Sequence, residues 1–183
     1  MKPIFTVHAG EFVVADYIEK TFKRCNLWVP SRDTGIDLLV TNSKNNKAIS
    51  LQVKFSRDFL TTHFSSLFQK SLRACGWWSI NQDKLAKSKA DYWVFVVVGF
   101  ERRITEFIVI KPKDLLKRIK AIHGNGRTIQ CYLNVTANGQ CWESRGLKRK
   151  DQLALALGDN SDRKRDFSTF LNNWGPIQKL NGK

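Results

Sequence analysis

The sequence predicts an α/β domain: a mixed central sheet flanked by helices and finished by a C-terminal β-hairpin and helix. Three observations point there. Residues 35–40 and 49–54 alternate in the manner of half-buried strands. Residues 92–100 are continuously apolar and rich in β-branched side chains, as in a strand covered on both faces. Apolar residues recur at spacings of three and four over residues 9–24, so a helix is available to cover a sheet face.

Taken in order, the first helix carries Phe12, Ala15, Ile18, Phe22 and Cys25 on one stripe. Glu11 sits in its first turn, where the helix dipole favours an anion. Residues 26–30 leave it as a short extended piece, and residues 31–35 form a polar turn in which Gly35 lets the chain bend. In the strand that follows, Ile36, Leu38 and Val40 share one face, with Asp37 and Leu39 on the other. After a polar turn at 41–47, Ile49, Leu51, Val53 and Phe55 share a face, opposite Ser50, Gln52, Lys54 and Ser56. Folding this hairpin about its midpoint sets Val40 against Ile49, Leu38 against Leu51 and Asp37 against Gln52, which matches the apolar face to itself.

The next segment is aromatic, and its adjacent Trp77 and Trp78 suit either base stacking or a core. Residues 81–90 read as a helix with Leu85 and Ala86 inward and lysines outward. The buried strand is followed by a charged turn, Glu101-Arg102-Arg103, and by an edge strand at 104–110. Pro112 opens a helix that runs to residue 120. Asn138-Gly139, between strands at 128–135 and 140–144, signals a two-residue type I′ hairpin that places Cys141 opposite Thr136. A last helix over 166–174 collects Phe167, Phe170, Leu171 and Trp174 on one stripe. The length fits one domain, 1–183, with a core at 1–110 and a C-terminal elaboration at 111–183.

Composition narrows the function classes. A net charge of +15 on 183 residues calls for a polyanionic partner, most simply nucleic acid. The four cysteines contain no C-x-x-C pair and only three histidines accompany them, so neither a zinc site nor a disulfide framework is expected. The N-terminus lacks an apolar signal region and residues 92–100 are too few to span a bilayer. A cytoplasmic protein that does not enter membranes is expected.

The hairpin concentrates the chemistry. Asp is depleted in strand interiors, yet Asp37 stands inside an apolar run. Across from it come the Gln52 amide and, two residues on, the Lys54 ammonium. A carboxylate and an amide oxygen are hard ligands suited to Mg²⁺, and a lysine beside them can orient water or stabilise charge on a phosphate. The plainer alternative for Gln52 and Lys54 is a solvated sheet face. For Glu11 it is a dipole partner. Asp33 is the alternative acid should the register differ.

An acid at the start of one strand, a Gln-x-Lys triplet on the next and a glutamate on the first helix together resemble the PD-(D/E)XK nuclease superfamily. Gln52 in place of the second acid is similar to the variant in Mrr-type restriction nucleases, while Ile36 stands where the motif's proline would be. The resemblance covers roughly the first 100 residues. It implies a restriction-endonuclease-like fold and metal-dependent hydrolysis of DNA. Mg²⁺ or Mn²⁺ would be held by Asp37, Gln52 and the Val53 carbonyl, with Glu11 as ligand or nearby base, and Lys54 would orient the attacking water. Ser56 and Arg57 would grip the adjacent backbone. Lys148, Arg149 and Lys150 form a basic cluster suited to phosphates, or merely a solvated turn. A homodimer would allow both strands to be cut. The rival expectations are a catalytically inactive nucleic-acid-binding module with the same fold, and an interaction protein whose basic face takes an acidic partner.

Overall fold

The computed structural model describes residues 8–32, 34–56, 66–99, 104–159 and 162–182. The expected turn at residues 101–103 lies outside them. In chain order the elements are α1 (Ala9–Thr21), β1 (Cys25–Trp28), β2 (Leu38–Asn42), β3 (Ala48–Ser56), α2 (Ser66–Lys70), β4 (Leu72–Asn81), α3 (Gln82–Ala86), β5 (Tyr92–Gly99), β6 (Ile104–Ile110), α4 (Pro112–His123), β7 (Thr128–Thr136), β8 (Cys141–Glu143), α5 (Arg149–Leu157) and α6 (Gly175–Gln178). Five strands form a mixed sheet in the order β1-β2-β3-β5-β6, in which β3 and β5 run parallel and the other pairs antiparallel. A second, three-stranded sheet has the order β4-β7-β8. The α/β class and the interior placement of β2 and β3 are as expected. The second sheet is not.

Alternation along β3 and β5 separates two cores. On one face of the five-stranded sheet Phe95, Val97, Ile108 and Ile110 meet Trp78 and Leu133 of the second sheet, with Ile119 of α4. On the other face Leu51, Val53, Val94 and Val96 meet Val14 and Ile18 of α1. The C-terminal segment completes both. Phe167 enters the first core, while Trp174, Ile177 and Leu180 enter the second. This segment is not the single helix expected over 166–174. It consists of two 3₁₀ turns, Arg163–Arg165 and Ser168–Phe170, followed by α6. Single bridges pin it to the sheets at Trp142↔Asp166 and Ile108↔Leu171. Asn172, at φ 49, donates to Glu106 at 2.6 Å and accepts from the Phe107 amide at 3.0 Å. The expected stripe breaks because its residues are drawn into two different cores.

Three other expectations are corrected. The buried face of α1 carries Gly10, Glu11, Val14 and Ile18, and Phe12 is 64% exposed. The cause is close approach: a Cβ on Gly10 would lie 2.5 Å from that of Phe55, so the helix presents Gly10 to β3 and turns Phe12 outward. The C-terminal hairpin pairs Cys141 with Val135, one residue away from the two-residue-loop register. Only Gly139 of the loop has positive φ (82°), which rules out the type I′ turn. A three-residue loop forms instead: Thr136 N–H donates to the Gln140 carbonyl at 2.8 Å and its hydroxyl bonds the Asn138 side chain. Finally, the helix expected over 81–90 is only the short α3. None of the four cysteines is in a disulfide.

Strand β4 contains a glycine that its sequence alone does not explain. A Cβ on Gly76 would collide with the indole of buried Trp78, which lies edge-on to Phe95 with ring centroids 5.0 Å apart. Gly76→Val should therefore cost about 1–3 kcal/mol by displacing that ring. The measurement is a lower denaturant midpoint at unchanged slope.

Candidate functional site

The hairpin register is the expected one through Val40↔Ile49 and Leu38↔Leu51. It then slips. The Asp37 amide donates to the carbonyl of Leu51, the residue already paired with Leu38, at 2.8 Å. Ile36 packs on the second-sheet side although Leu38 and Val40 pack on the α1 side. Two residues of one strand thus meet one residue of the other, the signature of a β-bulge, which re-aims side chains and ends pairing. Gly35, at φ 80°, turns the chain away immediately before it. Asp37 does not sit opposite Gln52, and Ile36 does not share the face of Leu38, because the bulge shifts the phase by one residue.

The consequence is a specific placement of the Asp37 carboxylate. Its Oδ2 accepts the Val53 amide proton at 2.7 Å, in the place where a neighbouring strand's carbonyl would have continued the ladder. A residue's N–H and C=O point to the same side of a strand. The Val53 carbonyl therefore faces the edge at which Asp37 stands. Gln52 and Lys54 project from β3 on the second-sheet face. Lys54 Nζ stands 4.9 Å from the centroid of the Trp93 ring, a cation–π contact that fixes the ammonium. Asp37 is thus tied to the backbone of Val53, while the Gln52 and Lys54 side chains on either side of it line the cleft on the second-sheet face and Asp37 does not.

Glu11 comes from the opposite face, where α1 packs. It is 5% exposed, and its Oε2 accepts the His8 amide at 3.3 Å in the first turn. Ser56 accepts the Trp77 amide on its Oγ at 3.0 Å and so ties β3 to β4. Lys148 precedes α5, whose first turn holds Arg149 and Lys150; all three are exposed. Arg57 and Asp33 lie outside the described residues.

Beside Gln52 and Lys54 opens a cleft of about 650 Å³, rimmed by Thr34 and Gly35 and floored in part by Trp78 and Trp93. Lys84, Lys87 and Lys89 also line it, with Asp83 the lone acid among its lining residues. These lysines went unassigned from sequence, although three lysines and one acid within residues 82–90 are a one-sided run. A cleft with this charge concentrates phosphates.

The donors fit a hard divalent cation. They are carboxylate, amide and carbonyl oxygens, which suit Mg²⁺ or Mn²⁺ rather than zinc. Among the described residues, no group of three His, Cys, Asp or Glu side chains is placed to hold a metal ion. An ion at Asp37 would complete its shell with the Gln52 and Val53 oxygens, water and substrate, as Mg²⁺ commonly does.

Comparison with family models, curated proteins and solved structures found no match to this chain. Among the described residues, no helix is long and apolar enough to cross a membrane.

Proposed function

We propose that this protein is a metal-dependent endonuclease of the PD-(D/E)XK type that hydrolyses DNA phosphodiesters. The observation that carries the reading is the bond from the Val53 amide to the Asp37 carboxylate, which holds the acid against the Gln52-Val53-Lys54 triplet. Asp37, Gln52 and the Val53 carbonyl would hold Mg²⁺ or Mn²⁺, with Glu11 behind them as ligand or nearby base. The ion, when bound, would polarise the phosphate and acidify a water. Lys54 orients that water and meets the charge that develops on the phosphate oxygens. The lysines of the cleft draw the DNA in and hold its backbone, and the basic cluster at Lys148, Arg149 and Lys150 adds phosphate contacts. Two copies acting together would cut both strands.

The test is incubation of supercoiled plasmid and branched DNA with Mg²⁺ or Mn²⁺. Nicked or linear product should form and should vanish with a chelator. Gln52 in the second acid's place, together with the lack of a three-ligand acidic group among the described residues, favours one second reading. In that reading the fold binds nucleic acid without cutting it, and the same experiment would return salt-sensitive DNA binding with no product under either metal.

A further inference from the structure

Trp77 and Trp78 are neighbours in β4 but part company. Trp78 is 6% exposed in the core between the sheets, whereas Trp77 is 39% exposed on the outer face of the three-stranded sheet. Trp77 pairs directly with Tyr132 of β7, so both aromatic residues belong to that face. Around them Ser79 and Gln130 are exposed and also paired across the strands. The guanidinium of Arg145 lies 5.4 Å from the centroid of the Tyr132 ring. The exposed Lys148, Arg149 and Lys150 follow three residues later. A lone exposed tryptophan means little. A tryptophan paired with a tyrosine, capped by an arginine and continued by a basic run is the composition that takes unpaired bases: aromatic faces for stacking, cations for the backbone.

The position of this face adds to the argument. The Ser56 bond to the Trp77 amide joins the face to the strand that carries Gln52 and Lys54, with Lys54 two residues or about 6.6 Å back along β3. Residues 78–81 of the same β4 edge line the lysine cleft.

We propose that the outer face of the β4-β7-β8 sheet is a stacking surface for single-stranded nucleic acid, with Trp77 as its base platform and Arg145, Lys148, Arg149 and Lys150 as its phosphate contacts. The proposal deepens the functional reading above and rests on its nucleic-acid-binding part, but not on cleavage. It makes the preferred substrate one with an unpaired strand next to a duplex, such as a flap, fork or junction.

Fluorescence anisotropy with a chelator present tests it without catalysis. The probes are oligothymidylate, oligouridylate and a DNA duplex of equal length. Trp77→Ala should weaken single-strand binding by about tenfold, and Trp77→Phe should restore most of it. Duplex binding should stay essentially unchanged in both. Equal loss on single strand and duplex, or no loss on either, overturns the proposal, while duplex binding by the unaltered protein stands as a separate result. Failure of the unaltered protein to bind any probe overturns both this and the nuclease reading. Displacement of the single strand by polyglutamate as readily as by a competing oligonucleotide would show charge alone at work and also overturn it. Should Trp77→Ala fail to fold, photocrosslinking of a 5-iodouracil oligonucleotide to the unaltered protein decides. A crosslink on the peptide bearing Trp77 supports the surface, and one elsewhere overturns it. The DNA and RNA arms tell which single strand it prefers.

Discussion

Lys54→Ala and Asp37→Asn should each slow phosphodiester cleavage by about 10²–10³-fold while leaving most DNA affinity in place, the loss expected when one preorganised charge-stabilising group is removed. The two substitutions act at different points. Lys54→Ala removes the ammonium held over Trp93 but leaves every backbone bond of β3 intact. Asp37→Asn keeps an oxygen that can still accept the Val53 amide proton, so the bulge should survive while the charge that would hold a cation is gone. Asp37→Ala is the less useful variant. It would strand the Val53 N–H and add about 1–3 kcal/mol of instability to any chemical effect. Single-turnover cleavage and anisotropy on the same DNA separate the two quantities. Normal rates in Lys54→Ala or in Asp37→Asn would remove that residue from the mechanism.

The largest expected loss of stability lies far from that site, at Glu143. This carboxylate is fully buried. It accepts the Tyr132 and Arg145 amides at 3.2 and 3.0 Å and meets Arg165 Nη1 at 2.7 Å. His123 Nε2 is 3.2 Å away, close enough for an electrostatic contact but not aligned as a hydrogen bond. Glu143→Ala would leave two amides without their acceptor and Arg165 with only Asp162 and the Glu143 and Arg145 carbonyls, at a cost of about 3–5 kcal/mol. For a chain of this size that is a melting temperature lower by about 10 °C or more. Arg118 fastens the adjoining segment, donating to the Asp166 carbonyl at 2.6 Å and lying over Phe167 and Phe170. The damage should therefore spread into the C-terminal region.

Glu143 also sets a pH dependence. Burial pushes its carboxyl from 4.5 up to about 7, against the pull of the Tyr132 and Arg145 amides and the Arg165 guanidinium. Between those values the folded chain keeps a proton that the unfolded chain has released. The stability this group contributes is therefore present below about pH 4.5 and lost as the pH rises through about 7. His123 works in the other direction. Burial and the neighbouring Arg165 and Arg145 lower its pKa, so its contribution is present above pH 6.5 and lost on acidification. Melting curves of the unaltered protein and of Glu143→Gln from pH 4.5 to 8 isolate the first effect. The stability difference in favour of the unaltered protein should shrink as pH rises across the window, and a difference that stays level would refute the assignment.

Much of the hairpin could be read directly from residue order, because Leu38, Val40, Ile49 and Leu51 allow few registers that keep all of them on one face. The continuous apolar run of β5 and the proline opening α4 were equally legible, since each has one obvious physical explanation. What stayed hidden depends on contacts between distant residues. Gly76 argues against a strand until Trp78 is seen to fold over it. The bulge at Asp37 leaves no trace in the alternation, because Ile36 is apolar and suits either core. The loop at Gly139 is lengthened by the Thr136 hydroxyl, an interaction that the Asn-Gly pair does not announce. The bond that ties Asp37 to Val53 has no counterpart in residue order. Neither the lysine cleft nor the Glu143 cluster was legible there.

The way residues 167–180 plug both cores bears on how the chain is made. A ribosome releases the sheet-forming stretches first, but neither apolar interior can close until Phe167 and then Trp174, Ile177 and Leu180 have emerged. The nascent polypeptide must carry its strands with their greasy sides uncovered until that segment is made, which is when chaperone capture and clumping are most probable. Shortening the tail by a few turns would thus be felt as poor yield in the cell before it was felt as any change in chemistry.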